Sequence, residues 1–491
     1  MAAGRRAVLQ LRSWPARASL AVAALPTIGG RDPGARNCLP AKPVGINSGH
    51  GGRRAAASES CQEGRSSSDP PCMPHCQVKF VHAADPHIDS PMKGLSTYPG
   101  APVQEMRGAT RRAFESLVGL CVGEGVDLLV IAGDVYDGDW KDFSTGLYLR
   151  AQLARLREEG IEVVLIRGNH DAASVITRNL KLPGIHVLRH DRPESVVLED
   201  LGVAVHGQSF ATRAVTENLA AGYPSPLPGL VNIGLLHTSL GGYDEHENYA
   251  PCRLEELVAR GYDYWALGHI HERAVLHTNP HVVFAGNLQG RHMRERGEKG
   301  ATLVEAVDGE LTISHRTLDH ARWSRVNVDV GGAEDETDVL ERAQVALLGA
   351  IEDAGGRLLA CRIELGGITT VHGSLVRDRE RLDSELRGLA TDLAAEQIWV
   401  ERIEWQTGAP RSATVSDDAV GETLKVLRGA AADPAALTAL ADGLRPLALK
   451  LPPEVKAGPD GFDPTDPETL ARLLADVERT LPSLLVERSA A

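Results

Sequence analysis

Five short apolar runs in this chain end in residues that bind metals. Residues 78–83 run into Asp85-Pro86-His87, residues 128–132 into Gly133-Asp134, and residues 163–166 toward Gly168-Asn169-His170-Asp171. Residues 231–236 end at His237, and residues 264–267 at Gly268-His269-Ile270-His271. Two carboxylates, an amide oxygen and four imidazoles make a mixed nitrogen and oxygen donor set that suits manganese, iron or zinc. No cysteine belongs to it, which disfavours a closed structural zinc site. Asp85 and His87 are spaced so that both can point inward from one strand end, and Asp134 is the natural carboxylate to bridge two ions. Gly133, Gly168 and Gly268 let the backbone turn sharply before a ligand. Taken singly, each piece has a plain structural explanation: a turn for Gly133-Asp134, a helix N-cap for Asn169, a satisfied buried histidine for His237. Their succession at five strand ends is what points to a dinuclear metal centre.

Such ligands need a sheet to position them. The same runs, joined by residues 282–285, read as buried strands, and residues 111–124 and 144–159 between the early ones carry helical patterns. This is an α/β arrangement. Open α/β sheets place ligands beyond the carboxyl ends of their strands, so one sheet edge is expected to collect the set.

Composition bounds the rest. A length of 491 residues corresponds to about three domains. With 43% hydrophobic and 24% charged residues, global disorder is excluded. No apolar stretch is long enough to span a bilayer, so no membrane role is expected. Aromatic residues, at 4%, are too scarce for broad base stacking. The net charge of -14 argues against an evenly basic nucleic-acid coat but not against a local basic groove. The charge is uneven: residues 1–72 carry ten basic against four acidic residues, while residues 323–491 carry 18 basic against 30 acidic. Only Cys121, Cys252 and Cys361 follow residue 76, which is no disulfide framework and implies a reducing, cytoplasmic setting.

Residues 1–72 are rich in Arg, Ala, Gly, Ser and Pro and build no core pattern. A targeting peptide, a disordered basic arm and a translation start at Met73 all fit; the last is favoured, which makes this segment a disordered or mis-assigned extension. Cys72 and Cys76 flank His75, a spacing that chance explains better than metal binding.

The ordered set Asp85-x-His87, Gly133-Asp134, Gly168-Asn169-His170-Asp171, His237 and Gly268-His269-x-His271 resembles the signature of the calcineurin-like metallophosphoesterases. The stretch from His82 through Asp85, His87 and Asp89 resembles more narrowly the DNA-repair exonuclease branch of the SbcD and YhaO type. So do residues 133–140, 262–269 and 286–292. The resemblance covers residues 77 to about 310 well and the remainder in outline. It implies a four-layer α/β/β/α sandwich with a small C-terminal α/β cap domain and a helical tail. It also implies two divalent ions, manganese by preference with iron or zinc as alternatives. Asp85, His87, Asp134 and His271 would hold one ion, and Asp134, Asn169, His237 and His269 the other. His170 would stand by the leaving group as proton donor or charge stabiliser. The implied activity is phosphodiester hydrolysis, as a DNA exonuclease in repair, with a small-nucleotide phosphodiesterase or phosphoprotein phosphatase as the alternative. DNA and an SMC-like coiled-coil ATPase are the implied partners, and a homodimer is open to it.

Substrate contacts are expected from residues 287–299, which hold Arg291, Arg294, Arg296 and Lys299 against Glu295 and Glu298. Arg291 and His292 lie nearest the last strand end and are ranked first for meeting phosphate. Trp140 stands after the Asp134 motif as a rim residue, and Asp137 as an acceptor that could orient the ligands. The expected domains are the catalytic domain at 73–322, the cap at 323–408 and a helical region at 409–491. Within the cap, strands at 323–330, 357–365 and 398–405 alternate with helices at 336–354 and 375–396. The last helix of the chain is expected either to dock on the catalytic domain or to present itself to a partner.

Overall fold

The computed structural model describes residues 77–92, 95–98, 100–137, 143–173, 180–241, 249–410, 419–451 and 462–486. The expectations for residues 1–72, for Cys72, His75 and Cys76, and for Trp140 fall outside them.

The ligand-bearing apolar runs become strands because each is buried on both faces, and half-exposed strands extend the sheets at their edges. In chain order these are β1 (Gln77–Ala83), β2 (Leu128–Ala132), β3 (Glu162–Ile166), β4 (His186–Val187), β5 (Glu194–Leu198), β6 (Val203–Gly207), β7 (Val231–His237), β8 (Tyr264–Gly268), β9 (Ala274–Thr278), β10 (His281–Phe284), β11 (Gly300–Val307) and β12 (Glu310–Thr317). They form two six-stranded sheets, ordered β12-β11-β1-β2-β3-β4 and β5-β6-β7-β8-β10-β9. The pairs β1–β2, β2–β3, β7–β8 and β8–β10 are parallel. The five ligand-bearing strands are therefore divided three and two between two sheets, where the sequence pattern placed them on a single edge.

The sheets face each other through Phe80, Val130 and Val164 on one side and Val205, Ile233 and Tyr264 on the other. The outer face of the first sheet is covered by α1 (Val103–Glu124) and α2 (Ser144–Glu158), through Phe114, Leu117, Leu149 and Leu153. A third helix, α3 (Asn169–Ala173), is a single turn after β3. Trp265, Leu267 and Phe284 on the outer face of the second sheet pack under Tyr223, Leu240 and Leu257, the last from α4 (Leu254–Ala259). The result is the α/β/β/α sandwich.

A third, all-parallel sheet follows: β13 (Ala321–Asp329), β14 (Leu358–Ile368) and β15 (Ile398–Gly408). Its helices are α5 (Glu336–Ala354), α6 (His372–Arg377) and α7 (Arg379–Ala394). Asp335 caps α5, accepting the Asp338 N–H at 2.9 Å, and Gly355 ends it at φ +58°. The helix expected at 375–396 is broken at Asp378, whose φ of -100° and ψ of 22° interrupt the helical turn. Trp323, Ala360 and Trp399 on this sheet pack against Met92, Leu95 and Met106, joining it to the sandwich.

The tail contains α8 (Ala419–Ala432), α9 (Pro434–Lys450) and α10 (Pro467–Val486). Among the described residues the last helix packs mainly on α6, α8, α9 and β15, that is, on the third sheet's unit and the other tail helices.

Candidate metal centre

The ligand residues sit where backbone conformation is least ordinary. Asp85, His87, Asp134 and His269 have φ of +49°, +44°, +49° and +96°, the left-handed region that non-glycine residues rarely occupy. Such strain persists only where the surroundings over-determine it, and it clusters at functional sites. Gly133 also has positive φ, +92°. Gly168 and Gly268 do not; they are required for close approach. A Cβ on Gly168 would lie 2.3 Å from Asp134 Oδ1, and one on Gly268 would lie 2.0 Å from the Ala132 carbonyl oxygen.

The loops lock to one another through polar contacts. The Asp85 N–H donates to Gly133 O and the His87 N–H to Asp134 O. Asp85 accepts the His269 N–H at 3.0 Å, which ties the two sheets together at their carboxyl ends. Asp171, fully buried, accepts N–H groups from Gly168, Val135 and Tyr136 and so pins the β2 and β3 loops together. Burial and the nearby Asp134 charge push its carboxyl up to about 7. Asp89 forms a two-pronged ion pair with Arg111 and accepts from Thr145, anchoring the first loop to α1 and α2.

All seven predicted ligands converge. The nitrogen and carboxylate atoms of Asp85, His87 and His271 lie within 4.8 Å of one another, as do those of Asp134, His237 and His269. Asp134 stands between the groups, with Oδ2 3.4 Å from His237 Nε2 and 3.9 Å from His87 Nε2. Asn169 Oδ1 is 2.9 Å from His237 Nε2.

The lone pairs show what this donor set is made for. His237 Nδ1 donates to the Ala132 carbonyl at 2.9 Å, which turns Nε2 toward Asn169 Oδ1 and Asp134. A lone pair facing two oxygens would be repelled, so this nitrogen carries a proton unless a metal cation takes the proton's place. Burial alone would lower the His237 pKa, but the charges of Asp134 and Asp85 override it and raise it to about 9. On the other side, His271 Nδ1 donates to Glu295 Oε1 at 2.6 Å, so its Nε2 lone pair faces His87 Nε2 at 3.2 Å. His87 is buried and held well below the usual histidine range, first by burial and then by Arg291 and His271. Ring nitrogens converging beside carboxylates, with the pKa held down at His87 and His271 and a proton exchangeable for metal at His237, fit a pair of divalent ions.

His170 belongs to neither of these two clusters of three, though its ring forms a third close group with His87 and Asp137. Its backbone N–H donates to Asp134 Oδ1 at 2.9 Å, and its ring Nδ1 lies 2.9 Å from Asp137 Oδ1. The ring is packed edge-on against His87 and one-third exposed, so Nε2 is the nitrogen available to a substrate. Burial lowers its pKa, but the Asp137 hydrogen bond and the Asp134 charge more than compensate, and the net shift is upward.

The basic loop differs from its sequence reading. Lys299 is buried, with Nζ donating to the His271 carbonyl at 2.7 Å. Arg291 spends its guanidinium on Glu295 and Asp137 and is only 13% exposed. Arg294 and Arg296 face solvent, and His292 is 40% exposed beside Glu295. Glu295 is the residue the sequence pattern did not single out. It sits among basic residues as their apparent counter-charge, yet it is buried and orients a ligand ring. Its spacing of four from Arg291 was the available signal.

Residues 78–273 match the family described as calcineurin-like phosphoesterase, and residues 323–408 match the metallophosphoesterase YhaO middle domain. The chain is 34% identical to the metallophosphoesterase YhaO of Bacillus subtilis over 343 residues, covering 67% of this chain and 82% of that protein. It is 28% identical to the DNA double-strand break repair protein Mre11 of Methanopyrus kandleri, over 54% of this chain and 62% of that protein. It is 23% identical to one component of the nuclease SbcCD of Escherichia coli K12, over 48% of this chain and 66% of that component.

Proposed function

The chain belongs to the calcineurin-like phosphoesterases, in the YhaO metallophosphoesterase family, and from that premise we propose that it is a two-metal phosphodiesterase acting as a DNA exonuclease in repair. Family membership makes it a metal-dependent phosphoester hydrolase that uses a divalent metal pair. In this reading Asp85, His87, Asp134 and His271 hold one ion, and Asp134, Asn169, His237 and His269 the other; the metal is manganese. When bound, such a pair neutralises phosphate oxygens and supplies a water acidic enough to be a nucleophile near neutral pH.

The chain's own contribution is positional. Asp134 presents one carboxylate to both halves. His170, fixed by its Nδ1–H to Asp137, presents on Nε2 the proton that a departing alkoxide oxygen needs, and Asp137 and Asp134 shift its pKa upward. The observation that carries the reading is this imidazole beside two donor clusters, with the Asp134 carboxylate within 4 Å of a ring nitrogen in each. DNA as substrate is supported by the names of the Mre11 and SbcCD relatives. The catalytic domain would then span 73–322, with 323–408 as cap and 409–491 as helical region.

An SMC-like ATPase partner is supported by the tail helices, which leave Val426, Leu440, Leu447, Leu449, Leu473 and Val477 exposed. A cytoplasmic setting is supported by Cys121, Cys252 and Cys361, which are free and buried. Among the described residues no helix is long and apolar enough to cross a membrane.

Metal analysis coupled to cleavage of end-labelled duplex DNA with manganese tests the reading, with bis-p-nitrophenyl phosphate as the small diester. Stepwise loss of the end label supports it. Hydrolysis of the small diester with no cleavage of any DNA would replace it with the small-nucleotide phosphodiesterase.

A further inference from the structure

A connected series of charged side chains runs behind the His271 half of the centre and reaches round to His170. Glu295 is its hub. Its Oε1 accepts from His271 Nδ1 at 2.6 Å, and its Oε2 accepts from Asn287 Nδ2 at 2.9 Å and from the Arg291 backbone N–H at 2.8 Å. Arg291 Nη2 donates to Glu295 Oε1 at 2.9 Å, while Nη1 donates to Asp137 Oδ2 at 3.3 Å. Asp137 also accepts from Ser90 Oγ at 2.6 Å, and its other oxygen faces His170 Nδ1 at 2.9 Å. One guanidinium thus joins the carboxylate that aims a ligand ring to the carboxylate that aims the proton-donor ring.

We propose that Arg291 is a positioning residue that couples the His271 half of the metal centre to His170, by bridging Glu295 and Asp137. The proposal rests on the ligand and proton-donor roles assigned above. Its physical content is rigidity. A planar guanidinium holds two carboxylates at a fixed separation through donors on different edges, which a lysine ammonium on a flexible stem cannot do. Small misplacements of a catalytic group carry large rate penalties, so the orientation of the His170 ring should follow the orientation of His271. The alternative role for Arg291, a free cation for phosphate, conflicts with its burial and with its two carboxylate partners.

The decisive measurement uses full-length, metal-free protein with isotope-labelled histidine and reads the imidazole nitrogen signals. Glu295→Gln, two links removed from His170, is expected to move the His170 ring signals in the wild-type background and to leave them unmoved in an Arg291→Met background. If Glu295→Gln does not fold, Asn287→Ala, which removes one donor to Glu295, takes its place in the same spectra. With manganese bound, both Arg291→Met and Arg291→Lys are expected to lower kcat for bis-p-nitrophenyl phosphate roughly 10–100-fold at nearly unchanged KM, as for other groups that orient metal ligands. Two results overturn the proposal: His170 signals that ignore Glu295, or an Arg291→Lys enzyme with normal kcat beside an Arg291→Met enzyme with raised KM. A wild-type protein that hydrolyses no diester with any divalent metal would defeat the functional reading instead, and the metal-free spectra would still decide the bridge.

Discussion

On one side of Asp134 the ligand ring is held by main chain: His237 is fully buried and gives its Nδ1 proton to the Ala132 carbonyl of the neighbouring sheet. On the other side the ring is held by side chains: His271 gives its Nδ1 proton to Glu295, which Asn287 and Arg291 hold in turn. A hydrogen bond to a neutral carbonyl contributes about 0.5–1.5 kcal/mol, and one to a charged group about 1.5–3. The charged acceptor also makes the ring a stronger base toward a metal. The His237 half therefore moves only if a strand moves. The His271 half can be altered by changing one side chain, and it is the half whose side-chain hydrogen bonds reach round to the His170 ring.

The largest effect is expected where the halves meet. Asp134→Asn removes the carboxylate shared by both, so both ions and all activity should go together; one tightly bound ion remaining by elemental analysis would show that the halves are independent. Next, His170→Ala lies outside both ligand sets, and kcat should fall about 10²–10⁴-fold, the usual worth of a general acid, with two ions still bound. Loss of an ion in that variant would make His170 a ligand rather than a proton donor.

A paired substitution then separates the halves. Gly268→Ala drives a Cβ to 2.0 Å from the Ala132 carbonyl oxygen and 3.1 Å from His237 Nδ1. Overpacking of this kind typically costs about 1–3 kcal/mol, so the variant should melt earlier and lose the ion of the His237 half. Asn287→Ala removes one donor to Glu295 and should weaken only the ion of the His271 half, by roughly 10-fold. Calorimetric titration with manganese reads both, and equal effects on both sites would erase the distinction.

The parts of this centre that the sequence reveals are those written locally. Each ligand follows a buried apolar run, and burial on both faces makes such a run legible without knowing its neighbours. Strand pairing is not local, which is why the single expected edge is two sheets brought face to face. The β5 strand is faint in the sequence because Glu194–Leu198 alternates half-buried and exposed positions at a sheet edge. The β11–β12 hairpin did carry a signal, Asp308-Gly309 with both φ positive, a favoured tight turn. The inward turn of Arg291, Glu295 and Lys299 was not legible, because a run of alternating charges reads as a solvated loop unless the buried partners are known.

The smallest effect, and the one that discriminates the halves most finely, is the pH dependence of the metal-free protein. His237 has its pKa raised from 6.5 to about 9, burial being outweighed by Asp134 and Asp85, and Asp85 is raised from 3.8 to about 7 by burial. A group whose pKa rises on folding binds its proton more tightly in the native state. Its stabilisation is complete below the unfolded value and is lost as pH climbs through the folded value. For His237 that window is 6.5 to about 9, and for Asp85 it is 3.8 to about 7. In chelator, the melting temperature should therefore fall between about pH 6 and 9. Metal displaces the His237 proton, so saturating manganese should remove the part of the descent above about pH 7, to which Asp171, raised only to about 7 and not a ligand, does not contribute. His87 and His271 are shifted down instead, first by burial, and so contribute no descent in this range. His237→Gln should accordingly flatten the descent while His271→Gln leaves it in place. The opposite outcome would mean that the side-chain-held half, not the half held by main chain, stores the proton that the metal replaces.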